Sequence, residues 1–376
     1  MVPTKASLLF VTGTRADFGK LEPLSIAARD AGHDVTFYVT GMHMMERYGM
    51  TKIEVNRVQG VSVVEFENQK EGDRQDQVLA RTVTSFADYL HDTNHDLVIV
   101  HGDRVEALAC ALVCATNYIR CAHIEGGEVS GTIDEIFRHC NTKLAWAHFV
   151  SSEQAGQRVQ AMGEDASSVF LIGSPELDTH LRPSGVSLDA VKSRYDIPFE
   201  DYGIVVFHPV TSEQDTIGDQ ARALFESLAQ SGRQFVVILP NNDPGSSDIF
   251  KVIDGLDPGQ FRALASMRFA YFSELLRNAS ALIGNSSAGV REAPFIGIPS
   301  LDIGTRQTNR SQAASVTHAD AHDATTIATF LSDVWGKRFD RHAGFGSGSS
   351  ADNFVACLND PAFWDRGLQK NFQDIG

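Results

Sequence analysis

Leu8-Leu9-Phe10-Val11-Thr12-Gly13-Thr14-Arg15 is the stretch from which the fold of this chain is read. The apolar run has the length of a buried strand, Gly13 marks a turn, and residues 18–28 that follow carry apolar side chains at helical spacing. The unit is therefore strand, glycine turn, helix, and it recurs along the chain. Residues 35–39 close at Gly41, residues 61–66 read as a shorter strand, and residues 78–90 show helical spacing of Val, Phe, Tyr and Leu. Leu97-Val98-Ile99-Val100 runs into His101-Gly102-Asp103-Arg104 before a further helical stretch at 105–115. Residues 121–124, 147–150 and 169–172 complete the series. Short apolar strands alternating with helices imply a parallel sheet covered on both faces.

Between residues 182 and 201 the apolar periodicity weakens and Pro183, Gly185 and Pro198 appear, so the domain boundary is placed there. The pattern then restarts. Ile204-Val205-Val206-Phe207-His208-Pro209 is followed by a helix around 220–229, and Phe235-Val236-Val237-Ile238-Leu239 ends at Pro240-Asn241. A helical stretch at 274–279 leads to Ala281-Leu282-Ile283-Gly284-Asn285, whose Ser286-Ser287 opens the next helix, and residues 298–303 precede Gly304-Thr305-Arg306. The expected fold class is α/β, with two doubly wound Rossmann-like domains, 1–182 and 201–350, facing a cleft. Residues 344–350 read as a Gly/Ser-rich loop, and 353–358 and 363–372 as closing helices.

A chain of 376 residues is longer than one hydrophobic core usually serves, which agrees with two domains. The formal net charge of -16 argues against a nucleic-acid partner, because such binding needs a basic face. Cys110, Cys114, Cys121, Cys140 and Cys357 are odd in number and form no CxxC pair, which points to reduced thiols and a cytoplasmic setting. The longest apolar run near the start is far too short for a membrane span or an export signal, so no membrane partner is expected.

Chemistry concentrates in residues 123–138, His-Ile-Glu-Gly-Gly-Glu-Val-Ser-Gly-Thr-Ile-Asp-Glu-Ile-Phe-Arg. An apolar strand ends at Ile124 and a helix begins near Asp134, so the acids between them stand at a strand end, where open α/β sheets bind ligands. Each acid also has a bland reading. Asp103 suits a helix N-cap, Glu128 a solvated loop, and Asp134 with Arg138 a surface ion pair of about 0.2 to 0.5 kcal/mol. Acids at consecutive strand ends of one sheet are better explained together as a general acid/base cluster, since unpartnered buried carboxylates are strongly disfavoured. In the second half, Gly284-Asn285-Ser286-Ser287-Ala288-Gly289 offers backbone N–H groups and small side chains to an anion, with a simple Ser cap as the bland reading. Arg15, His208, Arg306 and Arg310 lie just after strands or in loops, placed to assist with a diphosphate.

Thr12-Gly13-Thr14-Arg15-Ala16-Asp17, His101-Gly102-Asp103-Arg104, residues 123–138, His208-Pro209-Val210-Thr211, Pro240-Asn241-Asn242-Asp243-Pro244-Gly245-Ser246, Gly284-Asn285-Ser286-Ser287 and Gly304-Thr305-Arg306-Gln307 together resemble the hydrolysing UDP-N-acetylglucosamine 2-epimerases. Non-hydrolysing relatives carry Pro-Glu where this chain has Ala16-Asp17. The resemblance implies a glycosyltransferase-B-type fold in which residues 353–376 return to the first domain. It also implies release of UDP from UDP-N-acetylglucosamine through a glycal-like intermediate, then addition of water to give N-acetylmannosamine. By the same resemblance Asp103, Glu125 and Asp134 do acid/base work, Arg138 positions Asp134 or a substrate oxygen, and His208 serves the diphosphate or leaving group. Arg15, Ser286, Ser287 and Arg310 are implied at the phosphates, Glu292 at the ribose or uracil, and Arg306 among the substrate-binding groups. Asp17, His123, Asn241, Asp243 and Asn285 are implied among the substrate-binding groups. No cofactor and no metal are expected, and a homodimer or homotetramer is implied. The open alternatives are a substrate with a second acetamido group at C4, a non-hydrolysing epimerase, a glycosyltransferase of the same fold, and a catalytically inactive nucleotide-sugar sensor.

Overall fold

Ser7–Thr12 (β1), Asp34–Val39 (β2), Ser62–Glu65 (β3), Leu97–His101 (β4), Cys121–Ile124 (β5), Ala147–Val150 (β6) and Val169–Leu171 (β7) build one parallel sheet in the order β3-β2-β1-β4-β5-β6-β7. The structure is a computed structural model that describes residues 5–130, 134–182, 185–241, 243–371 and 373, with Asp134 described in its backbone only. Side chains alternate across a strand, so Leu8 and Phe10 pack on one face with Phe18, Leu21, Phe354 and Phe363. Leu9 and Val11 pack on the other with Tyr38, Phe86 and Cys110. Helices cover both faces, which is why the strands read as unbroken apolar runs.

Tyr202–Val206 (β8), Gln234–Ile238 (β9), Phe261–Leu264 (β10), Ala281–Gly284 (β11), Ser300–Ile303 (β12) and Val316–Ala319 (β13) build the second sheet, ordered β10-β9-β8-β11-β12-β13 and parallel throughout. Here too the faces alternate, Val205 with Phe235 and Val237 on one side and Ile204 with Val236 on the other. The chain divides into two units. The first draws on residues through Glu128, on Asp134–Asp178 and on residues from Phe345 onward, and the second on Thr179–Gly344.

Several elements differ from the sequence reading. The weakly periodic stretch before Asp201 contains the helix Leu188–Tyr195, and Val191, Ile197 and Phe199 are buried in the core of the second unit. Its helix is short and shows few apolar positions, so periodicity alone missed it. Strands β10 and β13 were not read, because Arg262 and His318 interrupt the apolar pattern of edge strands. Ser286-Ser287 opens only the 3-10 turn Ser287–Gly289, and the α-helix after it is Glu292–Ile296. Of the closing helices, Ser350–Asn359 is regular and the next is a single turn, Pro361–Trp364. Among the described residues no helix is long and apolar enough to cross a membrane.

Candidate active site

Sheet order reverses between β1 and β4 in the first unit and between β8 and β11 in the second, and ligands of open α/β sheets bind outside the strand ends at such reversals. Of the polar residues singled out from the sequence, Asp103 follows β4 and His208 and Asn285 follow β8 and β11, at these two places.

In the first unit β4 ends at His101 and β5 at Ile124, so Asp103 and Glu125 leave adjacent strands on the same edge. Glu125 adopts φ +65°, a left-handed conformation that a non-glycine residue holds at a cost of about 1 to 3 kcal/mol and that tends to mark functional positions. Its side chain is 6% exposed, with Lys20 Nζ at 2.9 and 3.0 Å from its two oxygens, Ser174 Oγ at 3.1 Å and His101 Nε2 at 3.3 Å. Lys20 also lies 3.6 Å from Glu176, whose other oxygen is 2.8 Å from Ser174 Oγ. Asp103 pairs with Arg138, whose Nη1 donates to the Glu128 carbonyl at 3.1 Å. The Gly102 carbonyl accepts from His123 Nε2 at 2.7 Å and from Asn141 Nδ2 at 3.1 Å, which fixes the turn that presents Asp103. The Asp134 side chain lies outside the described residues.

Some expected groups have internal work. His123 is fully buried, and burial pushes its pKa down to about 3, so the ring is neutral where it braces Gly102. Asp17 is consumed by the start of the helix Arg15–Asp30, accepting from Gly13 N at 3.0 Å, Thr14 N at 2.9 Å and Thr12 Oγ1 at 2.8 Å. Arg15 Nε donates to Glu54 at 3.1 Å. Glu128 is not the solvated loop acid that its neighbours suggested. It is 3% exposed and accepts from Ser151. Gly127 serves packing: at its φ of +76°, a Cβ would stand 2.1 Å from the Ala155 carbonyl oxygen.

In the second unit Asn285 ties the reversal together. Its Oδ1 accepts from His208 N at 2.7 Å, and its Nδ2 donates to the His208 carbonyl at 2.8 Å. The Asn285 carbonyl accepts from Gln307 Nε2 at 2.8 Å and Arg306 Nη1 at 3.2 Å, while Arg310 donates to Gln307 at 2.7 Å. His208 Nδ1 accepts from Asn241 N at 3.2 Å, so the hydrogen of the neutral ring sits on Nε2. Burial first, then Arg306, lowers its pKa to about 3. Asn241 Nδ2 donates to the buried Asp243 at 2.5 Å. Ser286 Oγ accepts from Ala288 N at 3.4 Å, and Ser287 begins the 3-10 turn. A Cβ on Gly284, at φ +123°, would stand 2.1 Å from the Val206 carbonyl oxygen, so only glycine lets β11 approach β8 this closely. Glu292 is buried beside His180, 3.0 Å from Nε2.

The sequence reading missed Lys20 and Ser174, and it gave Gln307 no role beyond its place in a quoted motif. Nothing in the local pattern distinguishes a helix lysine bound to a carboxylate 105 residues away from a solvated one. Among the described residues no group of three or more His, Cys, Asp or Glu side chains is placed to hold a metal ion.

The two parallel, doubly wound sheets give the chain a glycosyltransferase-B-type fold. The family model for UDP-N-acetylglucosamine 2-epimerase matches residues 26–359, and the chain belongs to that enzyme family. It is 40% identical over 373 residues to the UDP-N-acetylglucosamine 2-epimerase of Neisseria meningitidis serogroup B, covering 98% of this chain and 99% of that one. It is 30% identical over 360 residues, 93% of this chain and 95% of the other, to the hydrolysing UDP-N,N'-diacetylbacillosamine 2-epimerase of Legionella pneumophila. The solved structure of the Methanocaldococcus jannaschii UDP-GlcNAc 2-epimerase in complex with UDP-GlcNAc and UDP has the same fold, with a TM-score of 0.80 at 18% identity over 93% of this chain and 99% of that one.

Proposed function

We propose that this enzyme hydrolyses UDP-N-acetylglucosamine with inversion at C2, releasing UDP and N-acetylmannosamine. The observation that carries the reading is Glu125, a strained, buried carboxylate held by Lys20 at a strand end, in a chain 40% identical over nearly its full length to an epimerase of that substrate. The C2 proton is not acidic, so loss of the anomeric diphosphate must develop positive charge at C1 before or as the proton leaves. Glu125 and Asp103 stabilise that charge and handle the C2 proton in elimination and in water addition, with Asp134 as the third acid. Arg138 holds Asp103 in place.

On the nucleotide side, His208 acts as a neutral donor through Nε2 to the leaving diphosphate, fixed by Asn241 and Asn285. Asp243 in turn fixes Asn241. Ser286, Ser287, Arg306 and Arg310 bind the phosphates. Because the α-helix after the Ser286 turn is only five residues long, a helix dipole contributes little and these side chains and turn N–H groups carry the anion. Glu292 meets the nucleoside. The described structure gives Asp17 a cap and His123 a brace, so we assign both a supporting role. We assign the enzyme to the cytoplasm, in keeping with its five free cysteines, and, from the family resemblance, as a homo-oligomer.

A second reading, a UDP-sugar with an additional acetamido group at C4, is favoured by the Legionella relative. The test offers the purified enzyme UDP-N-acetylglucosamine and the UDP-2,4-diacetamido-2,4,6-trideoxyhexose separately and measures kcat/KM from UDP release. A higher value for the first supports the proposal, and a higher value for the second replaces it.

A further inference from the structure

Within the second unit, a line of three buried side chains ends on Glu292. His180 is 1% exposed and stands on the helix Glu176–Leu181. Its Nδ1 lies 2.8 Å from Ser273 Oγ and its Nε2 3.0 Å from Glu292 Oε2, while its carbonyl accepts from Arg277 Nη2 at 2.7 Å. A carboxylate only accepts, so Nε2 carries the hydrogen, and in the neutral ring Nδ1 accepts from the Ser273 hydroxyl. This fixes ring orientation from both ends. Among the described residues His180 is the side-chain partner of Glu292, engaging Oε2 and leaving Oε1 without a hydrogen bond. On the reading of a UDP-sugar site, a carboxylate oxygen left open there does not serve the phosphates, which repel it. The donors that a uridine diphosphate offers to such an oxygen are the ribose hydroxyls and the uracil N3–H, and the hydroxyls lie nearer the phosphates.

We propose that His180, held by Ser273, is a positioning residue that aims Glu292 Oε1 at a ribose hydroxyl of the nucleotide. This rests on the reading of the enzyme as one that binds a UDP-sugar. His180 touches no ligand itself and acts only through Glu292.

The test is a binding cycle on the full-length enzyme with UDP, 2'-deoxy-UDP and 3'-deoxy-UDP as probes. His180→Ala should weaken UDP about tenfold, as for loss of a hydrogen bond to a charged group. It should weaken at least one deoxy analogue far less. In a Glu292→Ala background, His180→Ala should have no further effect on UDP. His180→Gln, which keeps a donor near the Nε2 position, should recover part of the affinity, and Ser273→Ala should give a smaller loss with the same analogue pattern, which keeps the test open should His180→Ala misfold. Equal weakening of UDP and both deoxy analogues, or an additive loss in the Glu292→Ala background, overturns the inference. Absence of UDP binding by the wild-type enzyme would instead overturn the functional reading beneath it.

Discussion

Lys20 and Glu125 are 105 residues apart in the chain and meet with Lys20 Nζ at 2.9 and 3.0 Å from the two carboxylate oxygens. Both side chains are largely removed from water, at 12% and 6% exposure. Breaking a buried pair by removing one partner leaves an uncompensated charge and costs about 3 to 5 kcal/mol, far more than the pair is worth against an apolar replacement. The pair is thus better understood as fixing the Glu125 side chain at the end of β5 than as a device for stability.

Glu125→Gln should lower kcat by about 10² to 10⁴-fold, the contribution of a positioned acid or base, with UDP affinity nearly unchanged. Lys20→Met should lower both kcat and the thermal midpoint, because it removes the cation that Glu125 and Glu176 share. Steady-state kinetics with UDP titration and thermal unfolding separate the two. Wild-type kcat in Lys20→Met would remove Lys20 from the site.

Asn285→Ala removes both hydrogen bonds to the His208 backbone. Each net loss is about 0.5 to 1.5 kcal/mol, so the urea unfolding free energy should fall by about 1 to 3 kcal/mol. His208 is no longer fixed, and UDP affinity should fall with it. Unchanged UDP binding at reduced stability would confine Asn285 to a structural part.

The sequence made the fold and part of the candidate site readable because both depend on local pattern. Apolar runs that end in Asp103, Glu125 and His208 announce strand ends, and strand ends locate ligands in this class. What was hidden depends on contacts between distant residues. Asp17 looks like a site acid and is spent on capping Thr14, Glu128 looks solvated and is buried on Ser151, and Gly127 is required by the Ala155 backbone rather than by a ligand. Lys20 and Ser174 carry no local signal, since partners 105 and 49 residues away select them.

Stability should decline with acid from about pH 6.5 downward. Burial lowers the pKa of His43 from 6.5 to about 4 and those of His123 and His208 from 6.5 to about 3. Between those values the unfolded chain binds protons that the folded one refuses, so unfolding is favoured as pH falls. Glu164 adds to this lower down: its pKa, despite burial, is lowered from 4.5 to about 2 by His148, Lys143 and Lys370, so its contribution is lost between those values. Thermal midpoints measured from pH 7 to pH 4 should drop steadily, and His123→Gln should flatten the slope. A midpoint independent of pH over that range would contradict the buried neutral histidines.

Gly284→Ala should destabilise the second unit by about 1 to 3 kcal/mol from the positive-φ backbone alone. The 2.1 Å approach of the added Cβ to the Val206 oxygen forces β8 and β11 apart as well. Urea unfolding measures the loss, and a wild-type midpoint would show that the reversal point tolerates a side chain.

The central claim is elimination of UDP followed by water addition at C2, with Glu125 and Asp103 as the acids. Incubation of the purified enzyme with UDP-N-acetylglucosamine in deuterated water tests it most directly, with UDP followed by chromatography and the sugar by proton NMR. The expected result is free UDP in equal amount to N-acetylmannosamine bearing deuterium at C2. N-acetylmannosamine with the original proton at C2, or a UDP-linked product without free UDP, would contradict it.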